Sequence, residues 1–362
     1  MKMTTFELDN LQPRAEAASA DAYLKRIANA VVLVLPFFLW GTNMVIMEDV
    51  MAKTGSMFVA FARLIPGGFG IIAFASLRGK KFPSGVTAWL PIALFGLINS
   101  TLFQVFCVEG LTRTIAGIGS VIIDSQPLTV AVMAAMFYGE VLGPKSITAL
   151  ISGIFGLILI EVPPLKMQEL LHSLLHSFGI LKASPPLHST GKWSLWDSGE
   201  WWMLLAAQCM AVGTIMMRWV SRFADPIMVI GWHMVLGSIP VLALSIWRQD
   251  PAVSGHLQDL NLGDWAELVY ISVFGSALAT GLFFYNATKG SLTELSVLTL
   301  LTPVFATIFG YLLRNEVITK IELVGSVITL VSICFVKVEK PKPTEPQNFN
   351  IRYDSLPVEA TP

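Results

Sequence analysis

Asp124 and Arg63 are charged side chains inside apolar segments of membrane length. An acid near the middle of a bilayer costs about 3 kcal/mol on insertion scales, so Asp124 should face water, a solute or a partner. Counted from the outer ends of their segments, Arg63 is about seven residues in and Asp124 about nine, which places both roughly 10–14 Å deep. We therefore predict an ion pair, serving either as a structural contact or as a gate, substrate clamp or proton site.

Two prolines, Pro127 and Pro303, lie near the middle of two matched spans, and the first of these spans also contains Asp124. Proline cannot donate to the helix ladder, so the carbonyls four residues back, at Ile123 and Thr299, lose their usual partner. Such groups are costly in lipid unless they line a cavity. Breaks at matching depth favour a solute site between two repeats, and a tolerated packing kink is the alternative.

Further polar and aromatic side chains could line the same site. His233 is the counterpart of Arg63 in the second half, and it either couples protons or is a satisfied hydrogen-bonding residue. The others could orient a solute or join helices; they are Trp40, Asn99, Gln104, Gln126, Trp232, Tyr285 and Thr302. His172 and His176 could share a metal, but no third ligand is evident, so neither a metal site nor a cofactor is predicted.

The chain contains an internal repeat with an offset of 176 residues. Gly67 also matches Gly237, at a slightly smaller offset. Glu140 and Glu316 follow their segments at opposite membrane faces, and each is expected to cap the next helix. The ungapped matches are Trp89 with Trp265, Ser100 with Ser276, Thr112 with Thr288, Ser120 with Ser296, Pro127 with Pro303, and Glu140 with Glu316.

Composition indicates that the membrane is the solvent of this chain. It is 54% hydrophobic and only 14% charged, against roughly 25% charged residues in soluble domains. Ten apolar runs of about 20 residues, the length of a membrane span, divide into two sets of five. We predict an all-α integral membrane protein with ten transmembrane helices in two inverted repeats, 28–162 and 201–337, joined by 163–200 and flanked by tails 1–27 and 338–362. Glu161 is interpreted as the end of the fifth span.

Lysine and arginine set the predicted orientation. Twelve lie in connections on the side of the N-terminus and five in the short loops opposite, which places both termini in the cytoplasm. Segment 1–27 is too acidic for a signal or transit segment and is predicted, like 338–362, to be a disordered tail. Residues 165–181 are predicted to form an interfacial amphipathic helix. A bacterial inner membrane fits best, or a plastid envelope if the source is a plant.

Several strings carry a resemblance to a known family. They are Trp40-Gly41-Thr42, Phe61-Ala62-Arg63-Leu64 and the two frames Pro127 to Glu140 and Pro303 to Glu316. The chain resembles EamA-type transporters of the drug/metabolite transporter superfamily. Strings at 124–130, 199–208 and 287–293 are most similar to plant plastid and cyanobacterial members. The resemblance implies a ten-helix inverted-repeat carrier of a small organic solute, without specifying the solute.

These features favour a secondary transporter, an exporter or exchanger, that moves a small metabolite such as an amino acid by alternating access around a midplane site. Arg63 would bind a carboxylate and Asp124 an amine. A channel or membrane sensor is the alternative. An intramembrane enzyme is disfavoured because Asp124 has no second buried acid in the predicted spans. Expected partners are the solute, membrane lipid and protons; nucleic acid is excluded by a net charge of -1. Monomer and homodimer both remain open.

Overall fold

The computed structural model describes residues 5–163, 166–168 and 194–339. Within them, long helices match the predicted spans one for one. They are α1 (Thr5–Thr54), α2 (Ser56–Leu77), α3 (Val86–Leu111), α4 (Ala116–Tyr138), α5 (Pro144–Glu161), α6 (Gly199–Val220), α7 (Pro226–Arg248), α8 (Leu262–Ala287), α9 (Leu292–Arg314) and α10 (Lys320–Phe335). Short 3-10 turns lie at Leu195–Asp197 and His256–Asp259, and strands β1 (Val141–Leu142) and β2 (Val338–Glu339) pair antiparallel.

The predicted helical membrane fold is confirmed. In the described ranges, the helices α1 to α9 are long and apolar enough to cross a membrane. The tenth, α10, has 16 residues, or about 24 Å at 1.5 Å per residue. That length is below the roughly 30 Å of a hydrocarbon core. The tenth predicted span is therefore present as a helix but is shorter than the other nine.

Three predictions concern the segments outside the spans. The described part of the N-terminal tail is helical, because α1 begins at Thr5, so the prediction of disorder is wrong from that residue on. The predicted interfacial helix at 165–181 lies outside the described residues except for 166–168. The tail 338–362 is described only at Val338 and Glu339, which form β2 instead of a disordered end.

The helices pack in a pattern that a two-fold axis between the halves would generate. Helix α2 packs on its counterpart α7, and α5 packs on its counterpart α10. The contacts of α1 with α8 and α9 are mirrored by those of α6 with α3 and α4. We call the end with the α2–α3, α4–α5, α6–α7 and α8–α9 loops the cytoplasmic end, following the predicted orientation, and the opposite end the outer end.

Both halves also share distortions at matching positions. Helix α3 contains a π-helical segment at Gly96–Leu102, and α8 contains one at Ile271–Leu278. Helix α4 is interrupted after Asp124, and α9 has a 3-10 turn at Leu298–Leu300. Each interruption lies just before a matched proline, which cannot continue the hydrogen-bond ladder. The wide turns and breaks position polar groups toward the interior of the bundle.

Glycines allow the matched helices to approach closely. A Cβ added to Gly237 would overlap the backbone carbonyl of Gly96 and the Ser100 side chain. Its counterpart Gly67 packs in the same way against Ser272 and Ser276. Glycine therefore lets backbones meet at the two equivalent interfaces, α7 with α3 and α2 with α8.

We expect Gly237→Ala to destabilise the protein by about 1–3 kcal/mol, because the added methyl group meets rigid backbone. Gly70→Ala is the matched control on α2, since nothing lies within 4 Å of a Cβ added there. Thermal unfolding in detergent should show a lower midpoint for the first variant only. Equal midpoints would contradict the close approach at Gly237.

Candidate functional site

A cavity of about 640 Å³ opens toward the outer end and reaches the middle of the bundle. Its mouth lies among outer-end residues such as Glu48, Leu111 and Val317, and its floor includes Gln126 and His233. Below the floor, a fully buried cluster fills the cytoplasmic half; Phe37, Phe95 and Phe283 belong to it. Within the residues that the structure describes, this packed apolar core closes the cytoplasmic side of the cavity.

Eight of the predicted site residues line this cavity. They are Trp40, Arg63, Asn99, Gln104, Asp124, Gln126, His233 and Thr302. Pro127 and Pro303 are buried but are not among the lining residues. Ile123 and Thr299, whose carbonyls the prolines release, are both lining residues. Both helix breaks therefore lie at the wall of the cavity, where an irregular backbone is tolerated in a membrane helix.

The remaining two predicted residues lie elsewhere. Trp232 is next to His233 in sequence and therefore points to a different side of α7, where it packs against Trp89 with ring centroids 4.9 Å apart. Tyr285 lies near the cytoplasmic end of α8, and its hydroxyl is 2.5 Å from Lys289 Nζ. Side-chain type alone does not reveal which face of a helix is turned inward.

The predicted ion pair between Arg63 and Asp124 is not formed. Arg63 Nη1 donates a hydrogen bond to Ser276 Oγ at 3.2 Å. The Asp124 carboxylate accepts one from Ser120 Oγ at 3.4 Å on its own helix. Similar depth placed both residues at one cavity, but their helices direct them to different partners. The two side chains therefore do not satisfy each other.

The sequence predicted no second buried acid to accompany Asp124, but the structure places a half-buried acid at the same cavity. Glu161, interpreted from sequence as the end of a span, lines the same cavity. Its carboxylate lies beside Ser120, the residue that also contacts Asp124. Glu48, Glu316 and Glu322 line the cavity nearer its mouth. Among the lining residues that the structure describes, Arg63 is the one Lys or Arg, so carboxylates outnumber basic groups there.

Three buried polar atoms in the lining lack a hydrogen-bond partner within the described residues. They are Asn43 Oδ1, Gln126 Oε1 and His233 Nδ1. The imidazole of His233 is stacked on Phe95 with ring centroids 4.2 Å apart. Unpaired buried polar atoms are costly. Their position at one cavity indicates that a polar solute could pair with them.

Comparison with known proteins agrees with this architecture. The model of the EamA-like transporter family matches residues 28–162 and 197–338. The chain belongs to this family. It is a multi-pass membrane protein and a transporter, not an enzyme.

Relatives place this EamA-like transporter among plastid and cyanobacterial proteins. It is 52% identical over 305 residues to a WAT1-related chloroplastic protein of Arabidopsis thaliana, covering 84% of this chain and 68% of that one. It is 43% identical over 310 residues to an uncharacterized transporter of Synechocystis, covering 86% and 90%. These matches support a bacterial or plastid membrane.

More distant matches extend the comparison. An S-adenosylmethionine/S-adenosylhomocysteine transporter of Chlamydia muridarum is 22% identical over 306 residues, covering 82% of this chain and 87% of that one. One crystal structure aligns with a TM-score of 0.65 at 15% identity, covering 84% of this chain and 94% of that one. At that identity the structure shows the fold alone.

Proposed function

We propose that this EamA-like transporter is a secondary carrier that exports or exchanges a small zwitterionic metabolite, such as an amino acid or a compound bearing an amino-acid group. The observation that carries the proposal is the presence of Arg63 and Asp124 in one cavity without a bond between them. Arg63 suits a carboxylate. Asp124, with Glu161 nearby, suits an amine. The unpaired amide and imidazole atoms suit further polar groups of the solute.

Two further observations support a carrier with such a substrate. The closed cytoplasmic half favours alternating access over a continuous pore, because a channel would need an open path past Phe37, Phe95 and Phe283. The Chlamydia muridarum relative transports S-adenosylmethionine, a solute whose methionine portion is an amino-acid group. His233 at the cavity floor is the residue through which protons could be coupled.

Uptake by purified protein in proteoliposomes tests the proposal. A mixed metabolite pool is offered with and without a pH gradient, and the contents are read by mass spectrometry. Zwitterions enriched only with protein present support the proposal, and dependence on the gradient adds proton coupling. Enrichment only after preloading indicates exchange. Preference for phosphates or hydrocarbons would overturn the substrate class, and protein-free liposomes are the control.

A further inference from the structure

The two matched glutamates end their helices in the same backbone geometry. Glu140 follows Gly139 (φ 68°), and Glu316 follows Asn315 (φ 55°), both left-handed residues. The Glu140 N–H donates to the carbonyl of Ala134 at 3.2 Å, and the Glu316 N–H donates to that of Gly310 at 3.3 Å. Such a turn satisfies the last carbonyls of a helix. The backbone geometry is thus equivalent at the two glutamates, and the difference lies in what their carboxylates contact.

At the cytoplasmic end, Glu140 is bound to the start of α9. Its carboxylate accepts hydrogen bonds from the N–H groups of Leu292 at 2.9 Å and Thr293 at 3.0 Å, and from Ser291 Oγ at 2.8 Å. Arg218 Nη1 lies 3.6 Å away, and the Glu140 side chain is only 10% exposed. Glu140 therefore caps a helix of the other repeat and not, as predicted, the next helix in sequence.

The lowered pKa of the Glu140 carboxyl is consistent with strong hydrogen bonds to the start of α9. Burial by itself would raise the pKa of its carboxyl, but the N–H groups of Leu292 and Thr293 and the hydroxyl of Ser291 outweigh burial and lower the pKa below 4.5. The carboxylate is therefore ionised at neutral pH, and its hydrogen bonds are charge-assisted. This contact is present above about pH 4.5, the usual pKa of the carboxyl, and is lost as the pH falls through the lowered value.

At the outer end, the equivalent contact is absent among the described residues. The counterparts of Leu292 and Thr293, 176 residues earlier, are Ala116 and Gly117 at the start of α4. Both line the cavity, and the preceding Ile115 provides no side-chain cap. Glu316 lines the same cavity and is exposed. Ala116, Gly117 and Glu316 thus border one cavity, and no hydrogen bond joins Glu316 to the other two residues.

The Glu316 carboxylate instead lies over its own helix at Gly310. A Cβ added to Gly310 would overlap Glu316 Oε2. The equivalent residue in the first half is Ala134, whose side chain is fully buried. The glycine thus leaves room for Glu316 in its unlatched position, and the first half has no such space for Glu140.

We propose that Glu140 and Glu316 are alternating latches. Glu140 bound at Leu292 and Thr293 holds the cytoplasmic end closed in the state described, and Glu316 takes the N–H groups of Ala116 and Gly117 when the outer end closes. This inference rests on alternating access in the proposed function. Because Glu316, Ala116 and Gly117 border the opening, their contact would close the cavity over a bound solute.

Cys107 provides a reporter, because it lines the cavity, whereas Cys209 is buried and Cys334 lies outside the cavity. With Cys209 and Cys334 replaced by serine, the rate at which a membrane-impermeant maleimide labels Cys107 from the outer side measures how often that end is open. No solute is needed. The outcome for the latches is therefore separable from success or failure of the uptake assay.

We expect Gly310→Ala to displace the Glu316 carboxylate and to slow labelling. Glu140→Gln should slow labelling too, since it weakens the closed cytoplasmic end. Loss of a charge-assisted hydrogen bond should shift the ratio of open to closed forms about tenfold or more. The double variant Gly310→Ala with Glu316→Gln should recover the rate of the parent, because the displaced side chain no longer forms a charged latch.

Gly70→Ala is the packing control and should label like the parent, since its position is open. Size-exclusion profiles establish that each variant is folded. Labelling of Gly310→Ala at the parent rate would overturn the inference. So would a double variant that remains as slow as Gly310→Ala alone, because the effect would then come from the methyl group and not from the carboxylate.

Discussion

Asp124→Asn is expected to reduce transport to the level of protein-free liposomes while the protein still inserts and folds. Asparagine keeps the size of the side chain and can still accept the hydrogen bond from Ser120. It removes the negative charge that the amine of the solute would meet. Insertion should become easier, because a charge near mid-membrane costs about 3 kcal/mol. Uptake in proteoliposomes, with size-exclusion profiles of the purified protein, measures both effects.

Ser125→Ala is the matched control for Asp124→Asn. Ser125 is the next residue on α4, its hydroxyl donates to the backbone carbonyl of Ile122, and it lies outside the cavity lining. Transport by this variant should equal that of the parent. Full transport by Asp124→Asn would remove Asp124 from the mechanism and would leave Glu161 as the acid that acts in the cavity.

Arg63→Gln is expected to weaken the apparent affinity for carboxylate solutes by about 10- to 100-fold, the effect of losing roughly 1.5–3 kcal/mol of charged hydrogen bonding. Glutamine can still hydrogen-bond Ser276 but cannot neutralise a carboxylate. Arg63→Lys should fall between, because lysine retains the charge but loses the fork that binds both carboxylate oxygens. The KM values for uptake are the measurement.

A methyl ester of the transported solute separates a binding role of Arg63 from a structural one. The ester should lose affinity for the parent protein, but Arg63→Gln should not discriminate between acid and ester. Arg78→Gln is the control, since Arg78 lies at the end of α2 over Phe74, with Cζ 5.2 Å from the ring centroid. If Arg63→Gln weakens uptake of acid and ester equally, Arg63 supports the fold and does not bind the carboxylate.

The membrane fold, the repeat and the position of the breaks follow from the sequence by itself. Apolar runs of membrane length can be read directly from the sequence, because a span must be apolar over the whole thickness of the hydrocarbon core. The 176-residue offset is a property of the sequence. Pro127 and Pro303 interrupt their helices in any surroundings, because proline has no backbone N–H to donate. Eight of the twelve predicted site residues line the cavity for these reasons.

Only the tertiary structure showed the direction in which individual side chains point. Trp232 and His233 are neighbours in sequence, yet only His233 reaches the cavity, because packing against α3 fixes the rotation of α7. The Arg63–Asp124 pair failed for the same reason: equal depth does not specify direction. The π-helical segments at Gly96–Leu102 and Ile271–Leu278 carried no sequence signal that we recognised.

Glu140 and Glu316 show most clearly what local sequence cannot predict. Their local sequences and backbone turns are equivalent, so local rules predict the same contact for both. One carboxylate nevertheless binds the start of a helix from the other repeat, and the other faces an open cavity. The difference depends on how closely the two repeats approach at each end of the bundle. That distance is set by the packing of the whole molecule, and residue order does not encode it locally.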